Sequence, residues 1–185
     1  IAVWPWGAYL GDEGLKNGIR AKVSSFTRHH VNVMMTKSKA AGNYINSVLA
    51  KHEVKKAGYD EAIMLDAEGY VSEASGENIF IVRDRKVKTT PLTSILPGIT
   101  RDSILTLARA KKYQVIEERF TRDELYTADE AFFTGTAAEV TPIREIDDRQ
   151  IGVGRRGPIT EDIQTSFFEV VKGRQGEYSR WLTYL

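Results

Sequence analysis

A lysine followed by small residues is the first feature of this sequence that is suited to covalent chemistry. Lys39 precedes the small residues 40–42, and Tyr44 stands where helical spacing begins. Small residues let a flat ligand approach the backbone closely. A partly buried lysine loses stabilisation of its charge, so its pKa falls and its neutral amine becomes a nucleophile. Most lysines are solvated surface groups, so this motif needs support from the rest of the chain.

A glutamate at the end of a predicted strand is the second candidate. Residues 62–65 and 70–73 are predicted as strands joined by a tight turn, and Glu73 ends the second of them before the small residues 74–76. Functional side chains are common where a strand meets a glycine turn. A solvent-exposed glutamate is the alternative, which the local pattern by itself favours.

Two further turns are predicted to bind anions. Gly98 precedes an amphipathic helix, so the N–H groups of Ile99 and Thr100 should be free to hold a phosphate. Thr100 acting only as a helix N-cap is the alternative interpretation. The second turn, at 134–139, follows a buried strand and combines consecutive backbone donors with two hydroxyl groups, including that of Thr136.

Composition limits the function classes. The 185 residues suffice for one domain, and 26 basic against 25 acidic residues give a net charge of +1, which disfavours nucleic-acid binding. Without cysteines the chain has no disulfide, thiolate metal site or cysteine nucleophile. The histidines 29, 30 and 52 lack the usual metal-ligand spacing, so no metal is predicted. No apolar run reaches membrane-spanning length, and a cytoplasmic protein is expected.

The periodicity of apolar residues predicts an α/β fold. Some predicted strands are joined by tight turns and others by helices, which favours a mostly antiparallel, barrel-like sheet surrounded by helices. An extended edge segment is predicted at 1–11 and turns at 12–18. Strands are predicted at 19–26, 62–65, 70–73, 79–82, 87–90, 113–118, 131–133 and 140–146, and helices at 41–57, from 99 onward, at 121–127 and at 160–171.

An amine, a phosphate cradle and a carboxylate are together what pyridoxal 5′-phosphate requires of a protein. Four blocks of the sequence closely resemble the class IV aminotransferases, and within that family the branched-chain type. The blocks are 39–44 (KAAGNY), 72–78 (SEASGEN), 96–102 (LPGITRD) and 133–142 (FTGTAAEVTP). Each block is weakly specific alone, but they occur in order and the resemblance covers essentially the whole chain.

The resemblance implies a role for each candidate. Lys39 would form the Schiff base with the cofactor aldehyde and carry the proton between the substrate α-carbon and C4′. Glu73 would bind the pyridinium nitrogen, Tyr44 would hydrogen-bond the phenolate oxygen, and Arg28 would lie near the phenolate edge. The remaining roles are packing of Leu96 on the ring, binding of the phosphate by Gly98, Ile99, Thr100 and Thr136, and binding of the substrate carboxylate by the amides of Thr136 and Ala137.

The reaction implied by the resemblance is a ping-pong transamination between branched-chain L-amino acids (Leu, Ile, Val) and 2-oxoglutarate, in amino-acid biosynthesis. Residues 1–185 would form the C-terminal cofactor-binding domain, with 1–18 as the entry segment between domains. A small N-terminal domain, absent from this sequence, would supply a phosphate-binding arginine and much of the substrate pocket. The family also implies a homodimer or a higher oligomer such as a hexamer, and small-molecule substrates as the only other partners.

Three alternatives remain open. D-Amino acid aminotransferase and aminodeoxychorismate lyase belong to the same family and share the lysine and the carboxylate, although residues 42–44 and 135–139 are more typical of the branched-chain type. A non-catalytic module that binds another phosphorylated ligand is the third. In that module, Lys39 and Glu73 would be an ordinary ion pair.

Overall fold

A mixed β-sheet organises the chain, and nearly all of its strands lie where the sequence predicts them. The structure is a computed structural model that describes residues 3–5 and 7–184. The strands are β1 (Ile19–Val23), β2 (Glu61–Leu65), β3 (Val71–Ala74), β4 (Asn78–Arg83), β5 (Lys86–Thr89), β6 (Gln114–Glu117), β7 (Glu130–Gly135), β8 (Glu139–Ile146) and β9 (Arg149–Gln150). The helices are α1 (Asp12–Asn17), α2 (Ile45–Lys56), α3 (Ile99–Ala110), α4 (Arg122–Tyr126) and α5 (Pro158–Val171), with 3-10 helices at Ala41–Tyr44 and Gly176–Trp181.

Antiparallel pairing predominates in the sheet, as predicted. The strand order is β3-β2-β1-β8-β7-β4-β5-β6, and β9 pairs with β8. The pairs β2–β3, β4–β5, β4–β7, β7–β8 and β8–β9 are antiparallel. Strand β1 is parallel to both of its neighbours, and β5 is parallel to β6. The parallel pairs β1–β2 and β5–β6 are consecutive strands joined through helices α2 and α3, since a parallel connection needs a long crossover.

The sheet curls into a half-barrel, because the two ends of the strand order approach each other. Ser72 on β3 accepts a hydrogen bond from the hydroxyl of Thr90, which follows β5, at 3.0 Å. The backbone N–H of Val71 donates to the carbonyl of Phe120, which follows β6, at 3.0 Å. The concave interior is filled by apolar side chains of both ends, including Ile63, Phe120 and Leu125.

Helices cover the convex side. Helices α3 and α5 pack on the middle of the sheet, where Phe80 and Phe132 are cross-strand partners whose stacked rings lie 5.0 Å apart. Tyr178 of the C-terminal 3-10 helix belongs to this cluster and Trp181 packs against it, so the end of the described chain lies on the domain. Among the described residues no helix is long and apolar enough to span a membrane.

The N-terminal prediction was wrong in two respects. The turns predicted at 12–18 form α1, whose acidic first turn and Lys16 in its last turn complement the helix dipole. Gly14 was taken for a turn residue, but it lies inside this helix, where Ile19 leaves no space for a Cβ atom. The predicted edge segment 1–11 forms no strand in its described residues, while residues 1, 2 and 6 lie outside the described part of the chain.

Helix α2 places most of its large apolar side chains at the surface. Its large apolar side chains Ile45, Val48 and Leu49 are exposed, whereas Ala50 and Val54 are buried against β2. A close approach of helix and strand requires small side chains between them, and this requirement outweighs the helical spacing of the larger ones. The exposed side chains therefore form an apolar surface beside the loop that carries Lys39.

Candidate active site

One cavity of about 270 Å³ brings the predicted cofactor residues together. It lies where the ends of β3, β4 and β7 meet the start of α3. Its wall contains every residue predicted to bind the cofactor: Lys39, Tyr44, Glu73, Leu96, Gly98, Ile99, Thr100 and Thr136. Ala137, the other predicted substrate residue, follows Thr136 in the turn between β7 and β8 but does not line this cavity.

Glu73 lies at the base of the cavity and is buried, so the exposed-glutamate interpretation is wrong. Its Oε1 accepts a hydrogen bond from Arg28 Nε at 2.6 Å. Its Oε2 accepts two more, from the backbone N–H of Leu96 and from Asn78 Nδ2, both at 3.1 Å. Burial raises the pKa of Glu73 to about 7, and the charge of Arg28 opposes this rise.

Arg28 is itself a buried residue of the site. Its predicted place was near the phenolate edge. In the structure its guanidinium binds Glu73 through Nε, and its Nη1 lies 2.6 Å from His29 Nδ1 and 3.3 Å from the backbone carbonyl of Asn43. Each of these two buried side chains stabilises the ionised form of the other, because a buried charge without a partner is strongly destabilising. The sequence signal was weak, since Arg28 lies in a polar loop beside two histidines.

The loop before α2 carries two lysines into the cavity wall. Lys39 is exposed, so the expectation that this side chain is partly buried was wrong, although its position in the cavity agrees with the prediction. Lys37 Nζ donates to the carbonyl of Ile95 at 3.2 Å, and burial lowers the pKa of Lys37. The loop is held by Asn43, whose Nδ2 donates to the carbonyls of Met35 and Ser38, each at 2.8 Å.

The start of α3 offers backbone donors to the cavity. Gly98 is the N-cap, and the first intrahelical bond runs from the N–H of Asp102 to its carbonyl. The amides of Ile99 and Thr100 precede this bond and have no partner within the helix. Thr100 is inside the helix, so its interpretation as an N-cap is wrong. A Cβ atom at Gly98 would lie 2.2 Å from Asn78 Oδ1, so close packing by Asn78 requires glycine here.

The turn between β7 and β8 forms the opposite wall. Thr136 is exposed at its start, and Glu139 at its end has a positive φ of 53°, which closes the turn. Thr134 is buried beneath it in the cavity wall, and its Oγ1 has no hydrogen-bond partner among the described residues. A buried hydroxyl without a partner is costly, so this atom is ready for a polar ligand. Thr134 was not singled out from the sequence.

A buried acidic group also borders the cavity. Glu77, in the turn between β3 and β4, is buried, and its pKa is raised first by burial and then by the nearby charge of Glu61. Glu61 is fully buried, forms an ion pair with Lys51 and accepts a hydrogen bond from Ser75 Oγ at 2.6 Å. Glu77 therefore brings to one side of the cavity a carboxyl group that holds its proton more tightly than usual, whereas the other walls carry lysines and free amides.

Comparison with known proteins places this arrangement in a class. The chain belongs to the class IV aminotransferases, because the sequence profile of that family, Amino-transferase class IV, matches residues 1–146. It is 58% identical over 183 residues to the branched-chain-amino-acid aminotransferase of Pseudomonas aeruginosa, a match that covers 99% of this chain and 60% of that protein. Against the same enzyme from Escherichia coli K12, 49% of 183 residues are identical, covering 98% and 59%.

A solved structure confirms the fold. The T.th. branched-chain amino acid aminotransferase with pyridoxamine 5′-phosphate superposes with a TM-score of 0.94 at 52% identity, covering 98% of this chain and 59% of that one. The same enzyme has been solved with N-(5′-phosphopyridoxyl)-L-glutamate, with a TM-score of 0.89 at 51% identity over 90% of this chain and 57% of that one. The chain therefore spans about 60% of the length of the relatives that it matches.

Proposed function

We propose that this protein is a pyridoxal 5′-phosphate-dependent enzyme that transaminates branched-chain L-amino acids with 2-oxoglutarate. The observation that carries the proposal is the single cavity in which a lysine, a buried carboxylate and a helix start come together. The names of the relatives support the branched-chain substrates, and the phosphopyridoxyl-glutamate complex of the T.th. enzyme supports glutamate and 2-oxoglutarate as the second pair.

The residues present fit this cofactor. Its phosphate needs several donors, which the amides of Ile99 and Thr100 and the unpartnered hydroxyl of Thr134 can supply. Its ring nitrogen needs a carboxylate, and its aldehyde needs an amine. Glu73 and Lys39 offer these groups in the same cavity, and Leu96 offers an apolar side chain for the ring.

When bound, the cofactor supplies an aldehyde and an electron-accepting ring. Lys39 Nζ would attach it covalently and, once displaced by the substrate amine, would move the proton between the substrate α-carbon and C4′. Glu73 would hold a proton on the ring nitrogen, which requires an ionised carboxylate. Arg28, 2.6 Å away, favours that ionised form against the effect of burial. The Tyr44 hydroxyl would hydrogen-bond the phenolate oxygen.

The two walls would divide the anionic groups between them. The start of α3, with Gly98, Ile99 and Thr100, would hold the phosphate together with the Thr136 hydroxyl. The amides of Thr136 and Ala137 would bind the substrate carboxylate at the tip of the turn. Both residues are exposed, as a binding site for an exchanging substrate requires.

We further propose a homo-oligomer, a dimer or a hexamer. The segment from Val31 to Leu49 exposes large apolar side chains beside the cavity, and a surface of this kind is typical of a subunit interface. They are Val31, Val33, Met34, Met35, Ile45, Val48 and Leu49. Residues 1–185 would be the cofactor-binding domain, with 1–18 as its entry segment, and a cytoplasmic location stays a prediction of the sequence.

The test compares substrates and locates the cofactor. Full-length protein would be assayed with L-leucine and D-alanine, each with 2-oxoglutarate, and with aminodeoxychorismate. We expect turnover of L-leucine to dominate, and a preference for D-alanine or lyase activity would instead favour one of the two sibling enzymes. Borohydride reduction should fix the cofactor on a peptide that contains Lys39. A protein that acquires neither colour nor label with saturating cofactor would support the non-catalytic binding module.

A further inference from the structure

We propose that two buried asparagines, Asn43 and Asn78, are positioning residues. They hold the loop that carries Lys37 and Lys39 (the lysine loop), Glu73 and the start of α3 in fixed relation to one another. This inference rests on the proposed function and extends it, since it names side chains that set the geometry of the cofactor anchors. Both asparagines are buried, with 5% and 4% exposure.

Asn78 connects the carboxylate to the helix start. The two hydrogens of its Nδ2 serve two acceptors, Glu73 Oε2 at 3.1 Å and the backbone carbonyl of Leu96 at 3.0 Å. Its Oδ1 occupies the space that a Cβ atom of Gly98 would need. The backbone N–H of Leu96 in turn donates to Glu73 Oε2 at 3.1 Å. Glu73, Asn78 and the backbone of Leu96 are thus each hydrogen-bonded to the other two, directly before α3.

Asn43 plays the same part for the lysine loop. Its Nδ2 donates to the carbonyls of Met35 and Ser38, which lie on the two sides of Lys37. Its backbone carbonyl accepts a hydrogen bond from Arg28 Nη1 at 3.3 Å. Since Arg28 also binds Glu73, a continuous series of hydrogen bonds leads from the loop of the lysines to the start of α3.

A side-chain amide suits both places, because its two hydrogens match the two acceptors found at each. A buried aspartate would offer no donor when ionised, and at position 78 it would set a second carboxylate against Glu73. A serine fits the space but has a single hydrogen to donate, so one acceptor would lose its partner. Leaving one buried acceptor without its hydrogen bond is worth about a tenfold change in an equilibrium constant, whether the acceptor is the Glu73 carboxylate or a backbone carbonyl.

The test uses the full-length protein and the variants Asn43→Ser and Asn78→Ser. The matched control is Asn46→Ser, because Asn46, in the first turn of α2, also donates its amide to a backbone carbonyl, that of Thr27 at 3.0 Å, outside this network. Four quantities would be measured: the Kd for pyridoxal 5′-phosphate, the rate of its covalent attachment to the lysine, the pH midpoint of the bound-cofactor absorption band, and the thermal unfolding of the cofactor-free protein.

We expect the Kd to rise about tenfold in each of the two variants and to stay within about twofold of wild type in the control. Asn78→Ser should also move the pH midpoint upward, because Glu73 loses a donor to its ionised form. Asn43→Ser should leave the midpoint unchanged and slow the covalent attachment at the lysine. Lower unfolding temperatures with unchanged Kd and midpoint would overturn the inference, since they would show a purely structural role.

The outcomes separate this inference from the proposed function. A wild-type protein that fails to bind the cofactor would overturn both, whereas normal binding by the wild type and by both variants would overturn the inference alone. If Asn78→Ser does not fold, Gly98→Ala provides the second variant, because its new methyl group would displace the Asn78 amide while leaving both hydrogen-bond donors in the protein. Its Kd should rise by the same order, and an unchanged Kd would count against the inference.

Discussion

Replacement of Arg28 by methionine should shift the pH dependence of the reaction toward alkaline pH. Arg28 and Glu73 form an ion pair whose side chains are only 6% and 8% exposed, with 2.6 Å between Nε and Oε1. Methionine keeps the apolar length of the side chain but removes the charge. Glu73 would then be left as a buried carboxylate that keeps its hydrogen bonds from Leu96 and Asn78 but has lost its closest cation.

The size of the effect follows from the burial of the pair. Removing one partner of a buried ion pair costs about 3 kcal/mol or more, and one pKa unit corresponds to about 1.4 kcal/mol. The pKa of Glu73, about 7 in the native protein, should therefore rise by about two units in the variant. In the cofactor-free protein at pH 7.5, the ionised fraction of Glu73 would fall from about three quarters to about 3%, a loss of about 25-fold in the form that can hold a proton on the ring nitrogen.

The assay is the pH profile of kcat/KM in full-length protein. The ascending limb should move toward alkaline pH in Arg28→Met, so that activity recovers in alkaline buffer. Arg109→Met is the matched control, since Arg109 forms a surface ion pair with Glu117 and its side chain is 54% exposed. An ascending limb in Arg28→Met that stays at the wild-type pH, whatever the activity at its plateau, would refute the role assigned to this ion pair.

Three further predictions concern other parts of the chain. Lys39→Ala should abolish turnover and borohydride labelling without changing the circular dichroism spectrum, whereas Lys37→Ala should keep the label; the reverse result would identify Lys37 as the reactive amine. Because burial raises the pKa of Glu77 in the folded state, the folded protein binds this proton more tightly than the unfolded chain does, and its stability falls as the pH rises above about 4.5. In Glu77→Gln, the unfolding free energy measured with urea should fall less with rising pH. An unchanged dependence of the unfolding free energy on pH would contradict this role of Glu77. Gly157→Ala should destabilise the protein by about 2 kcal/mol with unchanged KM, because its Cβ would collide with Glu130, which accepts hydrogen bonds from the first amides of α5. Denaturant unfolding measures the stability and substrate kinetics measure KM. A change in KM would show that this explanation is wrong.

Much of the secondary structure could be predicted because its causes are local. Alternation of apolar and polar residues, glycine turns and helix starts depend on neighbours in the chain, so the strands and the helix that begins at Ile99 lie where they were predicted. Helix α2 shows the limit of such reasoning. Its position was predicted, but only its packing against β2 shows that Ala50 is buried and Val48 is exposed.

The candidate site also contains some features that the sequence predicts and others that only the tertiary structure shows. Lys39, Glu73, the start of α3 and the turn at Thr136 could be found from the sequence, because each motif carries its own chemistry within a few residues. The sequence by itself therefore determined which groups are available and which cofactor they suit.

Only the tertiary structure decided how these groups are held. Arg28 and Glu73 are 45 positions apart, and the pairing of Asn78 with Gly98 requires a strand and a helix start to meet. The pKa of Glu73 is raised because the fold removes this side chain from water, and the residues next to it in the sequence do not predict that burial. Such contacts depend on the curl of the whole sheet. This curl arises from many long-range strand pairings at once, so the contacts are defined only by the tertiary structure.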